Sequence, residues 1–448
     1  MPQLAKSGKQ IAIIEGGRVG GTCVNYGCTP TKTLVASARA AHMARRGADF
    51  GVQTGEIAID FAKVMARMNK IRNNNSEELE SWLTGLDGVD FYRAYASFED
   101  AHTVRVGEES IYGETIVVHT GARARKPPLP GLDEVAWLDN VRLLHLQKLP
   151  EHLVILGGSY ISLEFAQAFR RFGSAVTIIE RSPQLMFRED KDIADIALEL
   201  MVRAGITVYL NANVERVAKV SDGKVGDGKV NDGAKVFFSQ NDKTQSVQGS
   251  HLLVAAGRAP NTDQLNLDAA GVQTSDRGYI EVNDVLQSSV PHIYALGDVN
   301  GQGAFTHTSV NDGQIFWDHY SGTGDRTLSD RNPIYAMYID PPLGRVGIDE
   351  QAARKRERTV LMASKPMSEI ARAIEKDETD GLVKLFVDEQ SEEILGATVF
   401  GTGGDEIISL FATFMMTKQS YKTFQRAVLP HPTVAELMPF ILDELEPV

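Results

Sequence analysis

Short apolar runs bounded by glycine, proline or polar residues recur along the chain, with stretches of helical period between them. Lys9–Ile14 reads as a strand that ends at Glu15. Thr33–Arg45 reads as a helix, introduced by Thr29 as N-cap and Pro30 as first helical residue. Leu153–Leu156 is a strand running into Gly157-Gly158-Ser159-Tyr160-Ile161-Ser162, followed by a helix with small and apolar residues on one face. A second strand, Ala175–Ile179, then closes on Glu180. Thr115–Ala122, Val254–Asn261 and Ser289–Asp298 each read as a strand with a small-residue turn. Between Lys219 and Ser250 the near-repeats DGKV, DGKV and DGAKV set Asp-Gly turns between short alternating runs, which predicts an elongated surface hairpin. From about Asn332 the pattern becomes α+β. Strands are expected at Tyr335–Gly347, Gly381–Val387 and Ile394–Gly401, and helices at Asp349–Arg358 and Glu406–Lys418. A chain of 448 residues has room for about three such domains.

Composition narrows the function classes. With 46 basic and 59 acidic residues the net charge is −13, which argues against a surface that tracks phosphates. No apolar stretch is long enough to span a bilayer; Ile407–Thr417 is among the longest uncharged ones. The N-terminus lacks the charged-then-apolar layout of a signal peptide, so a cytoplasmic enzyme is the expectation. Two cysteines exclude a disulfide scaffold, an all-cysteine zinc site and an iron–sulfur cluster built from this chain alone, and no resident metal is expected.

Those two cysteines stand close together, in Gly20-Gly21-Thr22-Cys23-Val24-Asn25-Tyr26-Gly27-Cys28-Thr29-Pro30-Thr31-Lys32. Cys28 beside a helix N-terminus would be favoured as a thiolate, and a low-pKa thiol near a second one suits disulfide exchange. By spacing alone the pair reads equally as two small buried apolar residues. The Gly157–Ser162 turn is strand–turn–helix–strand with an acid, Glu180, 23 residues after the first glycine, the context of a dinucleotide site. Ser159 and Ser162 occupy the second and third glycine positions, which weakens the pattern and leaves an unliganded turn as the competing reading. Glu180 would accept hydrogen bonds from ribose hydroxyls and repel a 2′-phosphate, favouring NADH; Arg181 and Arg188 keep NADPH open.

The segment GGTCVNYGCTPTK resembles the redox-disulfide motif of the flavoprotein (pyridine nucleotide) disulfide oxidoreductases, which include dihydrolipoamide dehydrogenase, glutathione reductase and mercuric reductase. The likeness runs from Glu15 to Leu437 and implies an α/β chain of two Rossmann-like domains, for FAD and NAD, plus a C-terminal α+β dimerisation domain. The implied division is residues 1–148 for the FAD domain, 149–270 for the nicotinamide domain, 271–328 for the FAD domain's return and 329–448 for the dimerisation domain. It implies that Cys28 faces the flavin, that Cys23 exchanges with substrate, and that Lys32 near the flavin pairs with Glu164. Tyr160 would cover the flavin until nicotinamide displaces it; an exposed helical acid and a packed aromatic are the alternatives for Glu164 and Tyr160. Expected FAD contacts are Glu15, Thr22, Lys32, Thr120, Gly121, Asp298, Ala304, Phe305 and Thr306. Expected nicotinamide-cofactor contacts are Gly157, Gly158, Ser159, Tyr160, Glu180, Val214 and Gly257. In HPTVAEL, His431 taken alone reads as the cap of a helix begun by Pro432, but the resemblance implies that it is the acid/base that reaches the partner subunit's dithiol, oriented by Glu436. A homodimer follows.

Two departures qualify the likeness. The glycine turn that should precede Glu15 by about 20 residues would fall before Met1. Pro2–Ser7 therefore reads as the tail of a first helix, with the first strand and phosphate loop missing, neighbouring strands exposed and the pyrophosphate cradle lost. A wrong start site or a truncation accounts for this better than a tolerated deletion, and a flavin-free, non-enzymatic remnant is the rival to an active enzyme. The intact set Cys23, Cys28, Lys32, Glu164, His431 and Glu436 favours the enzyme. The second departure concerns substrate. TPTKT and TSVND look most like the mercuric-reductase branch, yet no C-terminal cysteine pair exists to deliver the metal. The expected acceptor is a disulfide, a metal ion or a quinone.

Overall fold

The computed structural model describes residues 2–220, 223–225, 228–230 and 233–448. A five-stranded parallel sheet is ordered Thr207–Tyr209, Ala175–Ile179, His152–Leu156, His251–Val254, Trp137–Leu138. Its central strands are apolar on both faces because the helix Tyr160–Phe172 covers one side and the antiparallel strands Gly233–Gln240 and Lys243–Gly249 the other, so they read as continuous hydrophobic runs. Gly157 leaves the central strand with φ +105°, and a Cβ there would lie 2.7 Å from the Ala255 carbonyl oxygen, so only glycine fits. The helix Tyr160–Phe172 follows at once.

Around this sheet lie two parallel pairs, Ile11–Ile14 with Val89–Tyr92 and Ile116–Val118 with Ile293–Ala295, which are not hydrogen-bonded to each other. Ile293–Ala295 is fully buried, whereas Ile11–Ile14 contains no fully buried residue. Pro2–Lys6 is helical, as expected for this segment. The helices Cys28–Arg45 and Phe61–Thr84 pack together here. The redox helix begins at Cys28 with Gly27 as N-cap, not at Pro30 with Thr29 as cap. The first-turn N–H groups have no partner within a helix, so proline is accommodated at the third position as well as the first.

The expected hairpin exists as Asn213–Val220, Gly233–Gln240 and Lys243–Gly249, but its resolved tight turn is Asn241-Asp242, both with positive φ. Of the Asp-Gly turns, Asp222, Asp227 and Asp232 lie outside the described residues.

Residues from Ile334 onward form a six-stranded antiparallel sheet, ordered Ile334–Met337, Leu343–Gly347, Ile394–Phe400, Leu382–Asp388, Val360–Pro366, Glu446–Pro447, with the helix Gly404–Met415 packed against it. Tyr335–Gly347 is thus two strands rather than one. Pro341 and Pro342 have no N–H for a ladder, and the chain turns between Tyr338 and Pro342. The helix expected at Asp349–Arg358 is shorter, Glu350–Arg354, capped by the Asp349 carboxylate on the Ala352 N–H. The one expected at Glu406–Lys418 spans Gly404–Met415. No helix starts at Pro432; a short 3₁₀ turn, Ala435–Leu437, follows. One apolar core unites Leu34 and Ala38 of the redox helix, the parallel sheet, Phe165 and Phe169, and Met337, Ile339 and Leu343 of the last sheet.

Candidate active site

The dithiol sits on two successive helices. Cys23 lies within Gly21–Tyr26 and Cys28 opens Cys28–Arg45. The loop is fixed from below: the Asn25 amide donates to the Val19 and Gly21 carbonyls at 2.9 and 3.1 Å, and the Ser76 hydroxyl donates to Val19 at 2.7 Å. Thr306, first residue of the helix Thr306–Ser321, places its hydroxyl 3.5 Å from the Cys28 sulfur. Two helix N-termini therefore converge on one sulfur, and both favour negative charge there. The Cys28 thiol is lowered to about 6, first by a hydrogen bond from Cys23 and further by Thr306 and the Lys32 ammonium, against the opposing effect of burial. The same hydrogen bond, with burial, pushes Cys23 up. Within the reduced pair, Cys28 carries the charge and Cys23 keeps the proton.

Lys32, one turn beyond Cys28, meets both oxygens of Glu164 at 2.7 and 2.8 Å. Glu164 is buried, so the exposed-acid alternative does not hold; its Oε1 also accepts from the Tyr338 N–H at 2.9 Å. The Tyr160 ring lies 5.8 Å from Phe305, which stacks on Tyr335 at 5.7 Å and 3°. Burial raises the Tyr160 phenol, and the nearest charges are Arg258, Glu164 and Asp298. Asp298 pairs with Arg258 at 3.2 Å.

The glycine turn and its acid come together as expected, but with protein donors. Glu180 accepts from the Gly158 N–H at 2.5 Å and the Ser182 N–H at 2.7 Å. Ser159 caps the helix without a side-chain bond, and the Ser162 hydroxyl is buried with no partner. Val214 is half-buried against the apolar cluster that includes Leu156, Ile179 and Ala212, beside the strand ends that carry the turn.

Around the residues expected to contact the two cofactors there is room for a large ligand. Gly121 (φ +69°) and Gly257 (φ +108°) both face open space where a Cβ would stand, and Arg258 Nε is buried without a partner. Thr22, Thr120, Ala304 and Thr306 are exposed, and Glu15 holds only the nearby Gly17 N–H, at 2.7 Å. His119, lowered by burial, feels Asp312, Asp298 and Glu15 together, so those two expected FAD carboxylates share one neighbourhood.

His431 and Glu436 form a pair of their own, Nδ1 at 3.0 Å from both oxygens, with His431 77% exposed. Among the described residues no hydrogen bond joins His431 to either cysteine of the same chain. Tyr338 and Asp340 were missed in sequence because Tyr335–Gly347 read as one strand; the Pro341-Pro342 pair was the available signal for a turn.

A sequence profile of pyridine nucleotide-disulphide oxidoreductases matches residues 1–313, and that family's dimerisation domain matches residues 334–439. The chain belongs to this family: it is an oxidoreductase of a class that uses FAD and a pyridine nucleotide, and its dimerisation domain supports a homodimer. Among its relatives, RclA of Escherichia coli is 34% identical over 450 residues, covering 97% of this chain and 93% of RclA. A mercuric reductase of Lysinibacillus sphaericus is 30% identical, covering 96% of this chain and 77% of its own. The solved structure of the HOCl-induced flavoprotein disulfide reductase RclA superposes with a TM-score of 0.86 at 33% identity, over 99% of this chain and 95% of that one. No helix among the described residues is long and apolar enough to cross a membrane.

Proposed function

We propose that the chain uses NADH and FAD to reduce its Cys23–Cys28 pair, and that the pair then reduces a small disulfide or a thiophilic metal ion. The observation that carries this is the convergence of Thr306, Lys32 and Cys23 on the Cys28 sulfur, which favours a thiolate there once the pair is reduced. FAD would be held by Glu15, Thr22, Lys32, Thr120, Gly121, Asp298 and Ala304–Thr306, and when bound it supplies two-electron transfer between nicotinamide and dithiol. The nicotinamide dinucleotide would lie on Gly157, Gly158, Ser159, Tyr160, Glu180, Val214 and Gly257. A carboxylate at the glycine turn disfavours a 2′-phosphate, which supports NADH; Arg181 and Arg188, both exposed, are the residues through which NADPH would be accepted.

For a disulfide acceptor, His431 of the partner subunit takes the Cys23 proton, and the Cys23 sulfur attacks one substrate sulfur, releasing the first thiolate. Cys28 then attacks Cys23, releasing the second thiolate and closing the Cys23–Cys28 disulfide, while the imidazolium returns its proton to the leaving group. Glu436 fixes the imidazole by accepting at Nδ1, which leaves Nε2 for the transfer. A metal-ion acceptor is supported by the solved structure of RclA as a Cu(II) complex, since Cu(I), the one-electron reduction product, is the state that thiolates favour.

The first test is the visible spectrum of the purified protein. A stoichiometric flavin band that bleaches with NADH, more readily than with NADPH, is the expected result. A folded protein that stays colourless with added FAD would refute the proposal.

A further inference from the structure

The segment Tyr338–Asp340 comes from the last sheet, yet it lies across both helices that carry the charged pair beside the dithiol. Lys32 and Arg39 are two turns apart on the redox helix, and Glu164, Gln167 and Arg171 follow i, i+3, i+7 on the facing helix, so each set occupies one stripe. Asp340 binds this seam at several points. Its N–H donates to Gln167 Oε1 at 2.8 Å, and its carbonyl accepts from Gln167 Nε2 at 2.9 Å. Its carboxylate accepts from Arg171 at 2.8 Å and from Arg39. Two residues earlier, the Tyr338 N–H donates to Glu164 Oε1 at 2.9 Å, and the Lys32 ammonium stands 4.6 Å from the centre of the Tyr338 ring.

We propose that Tyr338 is a positioning residue for the dithiol: its ring face and backbone N–H hold the Lys32–Glu164 pair where the Lys32 charge acts on the Cys28 sulfur. Without the ring, Lys32 is drawn only towards the buried Glu164 and towards water, and its attraction for the thiolate weakens. The interaction uses the ring face, so phenylalanine serves and an aliphatic residue does not.

The charged and titratable groups around this unit are Cys23, Lys32, Glu164, Asp405, Glu406 and the Tyr338 phenol itself. Burial, then Asp405, Glu164, Cys28 and Glu406, raise that phenol, which stays neutral across the range of the test.

The inference rests on the proposed role of the dithiol, but its test needs no turnover. The purified holoenzyme is reduced with a phosphine and alkylated with iodoacetamide from pH 4 to pH 9, and peptide mass spectrometry follows Cys23 and Cys28. Tyr338→Leu should raise the pH midpoint of the first alkylation by about half a unit, Tyr338→Met should do the same, and Tyr338→Phe should restore the wild-type midpoint. In a Lys32→Met background, Tyr338→Leu should add nothing. An unchanged midpoint in folded Leu and Met variants would overturn the proposal. So would an equal shift with Phe, or a shift that persists without Lys32. Should the shifts appear in a protein that reduces no acceptor, the functional reading fails and the positioning role stands.

Discussion

The dithiol and the His431–Glu436 pair are built in opposite ways. Cys28 is surrounded by its sequence neighbours Cys23 and Lys32 and by Thr306 from a distant segment of its own chain, with Glu164 and Tyr338 behind them. His431 is 77% exposed and, among the described residues, its side chain is hydrogen-bonded only to a glutamate five residues further on. The first arrangement is complete in one chain; the second is an oriented imidazole presented outward. A proposed general acid/base that is exposed and, among the described residues, makes no hydrogen bond to a cysteine of its own chain would have a purpose when a second copy brings its dithiol to it, and the dimerisation domain supports that second copy.

Removing the outward half should give the larger effect. His431→Ala should slow acceptor reduction by about 10²-fold or more while leaving NADH-driven bleaching of the flavin near the wild-type rate, measured by stopped flow. Equal loss in both half-reactions would place His431 with the cofactor. The inward half should instead respond in stability. Asp340→Asn leaves the buried Arg171 without its carboxylate partner, and the expected cost is about 3 kcal/mol, read as a fall in the denaturant midpoint with unchanged slope. A neutral outcome would mean that the seam between the redox helix and the last sheet is held by packing alone. The smallest effect belongs to Thr306→Val, which removes the hydroxyl at the Cys28 sulfur. Because the Cys28 pKa lies below that of a free thiol, the thiolate persists above about pH 6 and is lost below it. The variant should move the alkylation midpoint upward by a few tenths of a unit, and a downward shift would contradict the assigned contact.

What was legible in the sequence follows the same division. The glycine turn with Glu180 was readable from its spacing, whereas the roles expected of the dithiol, Lys32, His431 and Glu436 came from the resemblance of their segments to family motifs. The contacts that tune them were not legible. Tyr338 meets Glu164 across 174 residues and Arg39 meets Asp340 across 301, and no local pattern encodes such a pairing. The helix at Cys28 was placed two residues late because Pro30 satisfies either position in a first turn. The Ser162 substitution in the glycine turn kept the backbone path, since a small residue still packs there, yet left a hydroxyl buried without a partner. The strands Leu153–Leu156 and Ala175–Ile179 were legible as apolar runs flanking the glycine turn and its helix, and the turn at Pro341-Pro342 was hidden by apolar residues on both flanks.

Each proposed site joins one chain's dithiol to the other chain's histidine, and complementation measures this directly. Cys28→Ser and His431→Ala chains carrying different tags are co-expressed, the heterodimer is purified by both tags, and acceptor reduction is assayed. Each homodimer should be inactive, while the heterodimer contains one site with both groups intact and should recover about half the wild-type rate. A verified heterodimer with full cofactor content and no activity above the homodimers would contradict the account.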